Sequence, residues 1–253
     1  MHITISIVSH RQAALLQPLL NGLRTLSSTV PLRVIVTENV PDRALTVADD
    51  FAGQVLWIRN AEPKGFGANH NAAFRHCTTP YFMVLNPDVR FPEGAGVHAL
   101  LEEVQSRPGV AGPRVLSPDG RVEDSARRVP GVMRLLMRRL RNVSAPDYPL
   151  ERPVQQVDWI AGMCMLFDYD SFAKVSGFDE RYHLYCEDID ICLRLHRRGR
   201  AVSWVQSARV IHDAQRQSHR DWRYLSWHIR SLIRLATSFA YWDYRFHPAN
   251  RHT

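Results

Sequence analysis

Residues 162–199 have the sequence GMCMLFDYDSFAKVSGFDERYHLYCEDIDICLRLHRRG, the most informative pattern in the chain. The apolar run Cys164–Phe167 predicts a strand, and the apolar spacing after residue 186 predicts a helix. Three carboxylates, Glu187, Asp188 and Asp190, stand where that helix begins. Acidic groups in a first turn complement the helix dipole and its unpaired N–H groups, which accounts for one or two of the three. It does not account for the Tyr-x-x-Tyr-Cys sequence that precedes them.

The length and hydrophobicity of the chain are those of a globular protein. Its 253 residues are enough to bury a full core, and 45% of them are hydrophobic. The longest apolar run, Ile160–Phe167, is far too short to span a bilayer. The N-terminal MHITISIV has no basic region or cleavage site of a signal peptide, and it predicts a strand.

The four cysteines, Cys77, Cys164, Cys186 and Cys192, form no C-x-x-C pair. Such scattered thiols are typical of a reducing compartment and do not indicate a disulfide framework or a zinc site. We therefore expect a cytoplasmic protein.

Positive charge is concentrated in the second half of the chain. Residues 1–126 carry 11 Lys and Arg against 12 Asp and Glu, whereas residues 127–253 carry 21 against 13. The net charge is thus −1 in the first half and +8 in the second, or +7 overall. A basic half indicates an anionic partner: a phosphorylated substrate, an acidic membrane surface or nucleic acid.

Short Val- and Ile-rich runs alternate with helical patterns over the first 90 residues. The predicted strands are Ile3–Val8, Leu32–Val36, Val55–Ile58 and Tyr81–Leu85. Such alternation predicts βαβ units and a parallel sheet, in which ligands bind at the carboxyl ends of the strands. The segments that follow the strands are Ser9-His10, Glu38-Asn39, Arg59-Asn60 and Asn86-Pro87-Asp88.

Two of the segments near these strand ends could bind a ligand, and each also has an ordinary structural interpretation. Pro87 ends its strand, so Asp88 either holds a divalent cation or forms an Asx-type turn. The stretch Asn60–Phe74 lacks the third glycine of G-x-G-x-x-G because position 70 is His. This loop leads into a helix N-terminus. With Lys64 nearby, it either approaches a phosphate or sugar there or is a glycine hinge before the helix. His212 likewise is either a ligand or a structural histidine.

In chain order, the motifs are a parallel-sheet half, Asn-Pro-Asp, a Gly-Phe-Asp-Glu turn, a Glu-Asp helix start and a later His. This series resembles the family 2 glycosyltransferases of the GT-A fold, and among them the bacterial rhamnosyltransferase-like branch. The resemblance extends from Ile3 to about Ala240 and is most specific in Gly-Phe-Asp-Glu-Arg-Tyr and Tyr-x-Glu-Asp-x-Asp-x-Cys-x-Arg.

The fold that this resemblance implies is an α/β GT-A fold with a mostly parallel central sheet flanked by helices and a helical C-terminal segment. It implies a single domain over residues 1–242, followed by a tail over 243–253. Within the domain, residues 1–90 would bind the nucleotide sugar, residues 91–218 would form the metal and acceptor half, and residues 219–242 would form the C-terminal helix.

The resemblance also implies a donor site. Ser9 and His10 would line the nucleoside pocket, and Glu38, where the family usually has Asp, would accept a hydrogen bond from the pyrimidine N3–H. The loop near the donor corresponds to Lys64, Gly65 and Phe66.

The metal and the acceptor chemistry are implied by the same resemblance. Asn86 and Asp88 stand at the metal motif, so that Asp88, with His212 beside it, would hold Mg²⁺ or Mn²⁺. Asp188 would be the base that deprotonates the acceptor hydroxyl, and the helix N-terminus would help keep it ionised. Asp190 would mainly cap the helix. The acceptor side would comprise Trp159, Gly162 and Glu187.

The implied activity is inverting, metal-dependent transfer of a sugar, L-rhamnose from dTDP-rhamnose, to a saccharide or lipid-linked saccharide in O-antigen or other cell-surface polysaccharide synthesis. A sugar nucleotidyltransferase is an alternative, but it would require a Gly-rich loop where this chain has Ser-His-Arg-Gln. A nucleic-acid-binding protein is disfavoured because the aromatic residues are not interleaved with the basic ones. A non-catalytic module is disfavoured because Asp88, Glu187 and Asp188 are all present.

Residues 131–141, GVMRLLMRRLR, form an amphipathic pattern. Its apolar residues share one helical face, with Arg134, Arg138 and Arg141 opposite. The pattern predicts either a helix that lies on an anionic membrane surface or a helix packed on the core with a solvated arginine face.

Overall fold

The computed structural model describes residues 2–43, 45–92, 95–129, 131, 147–213 and 222–247. Apart from Gly131, the amphipathic segment 131–141 lies outside the described residues. The two interpretations of that segment therefore stay predictions.

The N-terminal half has the predicted parallel βαβ arrangement. Its strands are β1 (Ile3–His10), β2 (Leu32–Val40), β3 (Val55–Arg59) and β4 (Tyr81–Leu85). Its helices are α1 (Ala13–Ser27), α2 (Asp49–Ala52) and α3 (Phe66–Phe74). The strands pair in parallel in the order β3-β2-β1-β4, so their carboxyl ends lie along one edge of the sheet.

The rest of the described chain extends this sheet and covers it. Its strands are β5 (Val89–Arg90), β6 (Gly109–Leu116), β7 (Ala126–Arg127), β8 (Val154–Gln156), β9 (Trp159–Ile160), β10 (Cys164–Asp168) and β11 (Ala201–His212). Its helices are α4 (Val97–Ser106), α5 (Tyr169–Lys174), α6 (Glu187–Arg197), α7 (Trp222–Thr237) and α8 (Phe239–Phe246).

The main sheet is mixed but mostly parallel. Its order is β3-β2-β1-β4-β10-β6-β11-β5, with β8 also paired to β11. β10 is antiparallel to both β4 and β6, while β6 and β11 are parallel. Six of these nine strands, β1 to β4, β6 and β11, therefore run in one direction, and β5, β8 and β10 run in the other.

Alternate residues of the central strands face opposite sides of the sheet and build two cores. Phe82 and Val84 of β4 belong to one core, and Met83 and Leu85 belong to the other. Helices α1 and α4 cover the second core, and α6 covers the first. The sheet is thus buried on both faces, as expected for parallel strands rich in Val, Ile and Leu.

The C-terminal helical segment is two helices. The Ser238 side chain accepts a hydrogen bond from the Tyr241 N–H and caps a second helix, which continues to Phe246. The predicted boundary between helix and tail at residue 242 therefore falls inside α8. In the described part of the chain, no helix is both long enough and apolar enough to cross a bilayer.

Candidate active site

Asn39, at the carboxyl end of β2, joins the strand ends to the loop before α3. Its Nδ2 donates to the Lys64 carbonyl at 2.9 Å, and its Oδ1 accepts from the Lys64 N–H at 2.7 Å. The Asn60 side chain donates to Asn39 Oδ1 at 2.9 Å and to Asn69 Oδ1 at 2.6 Å. His10 Nδ1 lies 3.2 Å from Asn39 Nδ2. This network of three asparagines fixes the backbone of the predicted donor loop.

The same loop is held from its other side by the turn that precedes α6. The Phe66 N–H donates to the His183 carbonyl at 2.9 Å. A Cβ at Gly65 would lie 2.7 Å from that carbonyl oxygen, so only glycine permits this approach. The two segments most characteristic of the sequence, 64–66 and 182–188, are therefore in direct contact.

A neutral histidine lies beneath the donor loop. The ring of His70 contacts Phe66 edge-on at 4.4 Å between centroids, and its Nδ1 lies 2.8 Å from Ser6 Oγ. Complete burial lowers the pKa of His70 to about 3. The sequence singled out position 70 only as a missing glycine, whereas the structure makes it a support for Phe66.

Glu38 and Ser9 lie side by side at the ends of β2 and β1. The Arg59 Nε donates to Glu38 Oε2 at 2.5 Å, so this carboxylate, predicted to meet a pyrimidine base, already has a cationic partner. Ser9 is buried, whereas the neighbouring His10 is exposed. Burial, together with the charges of Arg11 and His183, lowers the pKa of His10.

Asp88 and His212 are brought together by strand pairing. β5 pairs with the end of β11, which places His212 opposite Val89. His212 Nε2 lies 3.3 Å from Asp88 Oδ2, and its Nδ1 lies 2.8 Å from Glu123 Oε2. Burial lowers the pKa of His212, but its hydrogen bonds and charge interactions with Asp88 and Glu123 outweigh this effect, so that its pKa is raised.

The residues at this position fit a divalent cation. Among the residues that the structure describes, none is hydrogen-bonded to the buried Asp88 Oδ1, as expected of an oxygen whose partner is a ligand. A carboxylate oxygen is the donor that Mg²⁺ and Mn²⁺ prefer. The described residues contain no group of three or more His, Cys, Asp and Glu side chains arranged to hold a metal by themselves. An ion here would therefore take further ligands from its substrate.

Asn86 supports this position through its backbone. Its N–H donates to the Met163 carbonyl at 2.9 Å, and its own carbonyl accepts from the Val89 N–H at 3.3 Å. These bonds turn the chain between β4 and β5 so that Asp88 is held at the edge of the sheet. The turn interpretation of Asn-Pro-Asp and the ligand interpretation are thus compatible.

The acidic start of α6 stands next to the donor loop. Asp188 accepts hydrogen bonds from the Ile189 N–H at 2.8 Å and from the Gly162 N–H at 3.2 Å. A Cβ at Gly162 would lie 3.4 Å from Phe66 Cζ and 3.7 Å from Asp188 Cβ. Gly162, which has no side chain, is therefore the residue that lies between Asp188 and Phe66 of the donor loop.

Both carboxylates of the Glu-Asp pair have raised pKa values. Burial raises the pKa of Asp188, although the N–H groups of Ile189 and Gly162 and the charge of Arg127 oppose it. Burial and the charge of Asp188 raise the pKa of Glu187, which is 6% exposed. Its Oε2 has no hydrogen-bond partner in the described part of the chain. The expectation that the helix N-terminus helps keep Asp188 ionised stays a prediction: the N–H donors lower the pKa of this carboxyl, while desolvation is the larger effect and raises it.

Two sequence predictions need correction. Asp190 does not cap the helix. Its Oδ2 instead accepts a hydrogen bond from Arg194 Nε, one turn along α6, at 2.7 Å. Arg194 in turn donates to the Gly177 carbonyl. Trp159 is 5% exposed and packs in the core, with its Nε1–H on the Arg128 carbonyl, so its side chain has no open surface for an acceptor.

Helix α7 covers the turn before α6. The rings of Trp227 and His183 are 4.4 Å apart, and Ser231 Oγ donates to the Leu184 carbonyl at 2.8 Å. A cavity of about 600 Å³ opens between this helix and the turn. Its lining includes Arg181, Arg230 and Arg234.

Residues 4–155, more than half of the chain, match the model of the family described as Glycosyl transferase family 2. The chain belongs to this family. It is also similar to N-acetylglucosaminyl-diphospho-decaprenol L-rhamnosyltransferase of Mycobacterium tuberculosis, with 36% identity over 56% of this chain and 49% of that protein. The match therefore spans about half the length of that relative.

A second relative matches almost end to end. Rhamnosyltransferase WbbL of Escherichia coli is 28% identical over 91% of this chain and 90% of its own length. These relatives confirm the predicted likeness to the rhamnosyltransferase-like branch of family 2.

Solved structures confirm the GT-A fold. The crystal structure of GalNAc-T7 with UDP, GalNAc and Mn²⁺ superposes with a TM-score of 0.61 at 12% identity, over 85% of this chain and 43% of that one. At that identity the likeness concerns the fold alone.

Proposed function

We propose that the chain is an inverting glycosyltransferase that transfers L-rhamnose from dTDP-rhamnose to a lipid-linked saccharide. The observation that carries the proposal is the position of Asp188, separated from the donor-loop residue Phe66 only by Gly162. A carboxylate there is close enough to both the donor and an incoming hydroxyl to serve the transfer.

The donor lies along the carboxyl ends of β1 to β4. The network around Asn39 holds the loop at Lys64, whose cationic side chain complements a diphosphate. Asp88 and His212 would hold the divalent cation, which when bound neutralises charge on the diphosphate leaving group. Rhamnose as the transferred sugar is supported by the likeness to rhamnosyltransferases of two bacteria.

The transfer requires one proton acceptor. Asp188 takes the proton from the acceptor hydroxyl, whose oxygen forms a bond to the sugar C1 while the C1–O bond to the diphosphate breaks. The electron pair of the broken bond leaves with the diphosphate, and the configuration at C1 is inverted. The raised pKa of Asp188 strengthens it as a base, provided that it is ionised at the working pH.

Glu187 positions the acceptor. Its Oε2 is buried and has no partner among the described residues, so a sugar hydroxyl that donates to it would remove the cost of that burial. A lipid-linked acceptor is supported by the Mycobacterium tuberculosis relative, whose name specifies a diphospho-decaprenol-linked sugar.

A panel of nucleotide sugars tests the proposal. Binding of dTDP-rhamnose, UDP-glucose and GDP-mannose is measured by calorimetry, with and without Mg²⁺. We expect dTDP-rhamnose to bind most tightly and only in the presence of the cation. A preference for GDP-mannose would overturn the choice of donor, and the absence of any nucleotide-sugar binding would overturn the enzyme proposal.

A further inference from the structure

Helix α7 presents a row of large apolar side chains to solvent. Trp222 is 82% exposed, and Ile229 and Ile233 on the same helical face are also exposed. Only Ser231 and Leu235 of this helix are buried. Large apolar side chains exposed on one face of a helix indicate an interaction, because exposed apolar patches mark binding surfaces.

Helix α8 continues the apolar surface. Phe239 and Phe246 are 67% and 70% exposed, and Trp242, stacked on Phe246 with ring centroids 5.5 Å apart, is exposed as well. The Trp242 indole N–H donates to the Ala236 carbonyl at 2.7 Å, which ties it to the end of α7. Six large apolar side chains therefore define the outer face of α7 and α8: Trp222, Ile229, Ile233, Phe239, Trp242 and Phe246.

Arginines follow the apolar row of α7. Arg223, Arg230 and Arg234 each come one position after an apolar residue of the row, about 100° around the helix. Residues 222–247 contain four arginines and one aspartate, a charge of +3 without counting histidine. Arg230 and Arg234 also line the cavity of about 600 Å³ beside the turn at residue 183.

We propose that the outer face of α7 and α8 docks on an anionic bilayer surface. Tryptophan rings sit at the lipid headgroup level, phenylalanine and isoleucine side chains enter the boundary between headgroups and acyl chains, and long arginine side chains reach from an apolar face to phosphates. Phospholipid phosphates complement the arginines in charge. A second copy of the chain is a poorer occupant, because a two-fold contact would bring together two copies of the same positively charged face.

Helix α7 connects the docking face to the proposed active site: the apolar row lies on its outer side, and Trp227 lies on the opposite side. Trp227 of α7 contacts His183, whose carbonyl binds the donor loop. Docking would therefore bring a membrane-bound acceptor to Glu187 and Asp188. This connection rests on the proposed function, but the docking itself is measurable without catalysis.

Flotation of the full chain with vesicles tests the docking. One set of vesicles is phosphatidylcholine alone, and the other is an equimolar mixture of phosphatidylcholine and phosphatidylglycerol. We expect flotation with the anionic vesicles only, weakened by added salt. The double variant Ile229→Ser, Ile233→Ser should reduce the partition constant by about tenfold or more, since both apolar anchors are lost.

The arginine contribution is tested separately. Arg223→Gln with Arg230→Gln should weaken binding to anionic vesicles by about fivefold per arginine. The matched control is Arg43→Gln with Arg75→Gln, two exposed arginines elsewhere on the protein, which should leave flotation nearly unchanged. Circular dichroism confirms that each variant is folded, and calorimetry with dTDP-rhamnose confirms that the donor site is intact.

Two outcomes would overturn the proposal. One is equal flotation of the wild type and the Ile229→Ser, Ile233→Ser variant. The other is that light scattering detects a dimer of the wild type and a monomer of this variant, while neither protein binds vesicles. Failure of donor binding with normal flotation would contradict the proposed function and leave the docking surface intact.

Discussion

Asn39→Ala removes the centre of the asparagine network and should both destabilise the fold and weaken donor binding. Asn39 is buried and has hydrogen-bond contacts with the Lys64 N–H, the Lys64 carbonyl and the Asn60 side chain, besides His10 Nδ1. Each hydrogen bond contributes about 1 kcal/mol net, and groups left unpaired cost more. We expect the free energy of unfolding to fall by about 2–4 kcal/mol.

The loss is measured by urea denaturation, with Asn21→Ala as the control. Asn21 is exposed on α1, and its side chain accepts one long hydrogen bond, 3.5 Å from Gln17, so its removal should cost little. Asn39→Asp keeps the acceptor oxygen but loses the Nδ2 donor, and its stability should fall between those of the wild type and Asn39→Ala. Equal stability of Asn39→Ala and Asn21→Ala would refute the role of the network.

Three further substitutions test other parts of the site. Asp88→Ala should abolish the Mg²⁺-dependent part of dTDP-rhamnose binding in calorimetry, because the cation loses its carboxylate ligand. If binding depends on Mg²⁺ as in the wild type, Asp88 is not a ligand. Glu187→Gln should stabilise the fold increasingly as the pH rises above 4.5, the ordinary pKa of the carboxyl, because the unfolded wild-type chain then ionises Glu187 whereas its folded state must keep the proton or bury the charge. Thermal unfolding at several pH values would show no such trend if Glu187 is solvated. Gly65→Ala should weaken donor binding about tenfold or more, because the alanine Cβ would lie 2.7 Å from the His183 carbonyl oxygen. Wild-type affinity of this variant would mean that the close approach of residue 65 to His183 is not needed.

The sequence predicted the parallel half of the sheet well because apolar runs separated by helical patterns are local signals. Strand β6 was missed because Gly109, Gly112 and Pro113 disfavour a strand. Its glycines are required by neighbours that are distant in sequence: a Cβ at Gly109 would lie 2.0 Å from the Ala201 carbonyl oxygen. A single sequence does not reveal such contacts.

The same limit applied to the site. The positions past the strand ends were identified from topology, and Asn39 stood among them, but its role as the centre of a network depends on Asn60 and Asn69. Glu123 orients His212 through the fold alone, and no sequence motif marks it. Trp159 was placed at the acceptor by resemblance, whereas packing in the core buries its side chain.

The most direct test of the proposed base is rhamnosyl transfer by Asp188→Asn, measured with labelled dTDP-rhamnose and a diphospholipid-linked acceptor. The amide keeps the size of the side chain and an oxygen that can accept from Gly162 N–H or Ile189 N–H, but it cannot take the acceptor's proton. We predict a loss of turnover of about a hundredfold or more, with the dissociation constant of dTDP-rhamnose unchanged. Asp190→Asn, which alters the ion pair with Arg194, should lose far less. Wild-type turnover by Asp188→Asn would contradict the account.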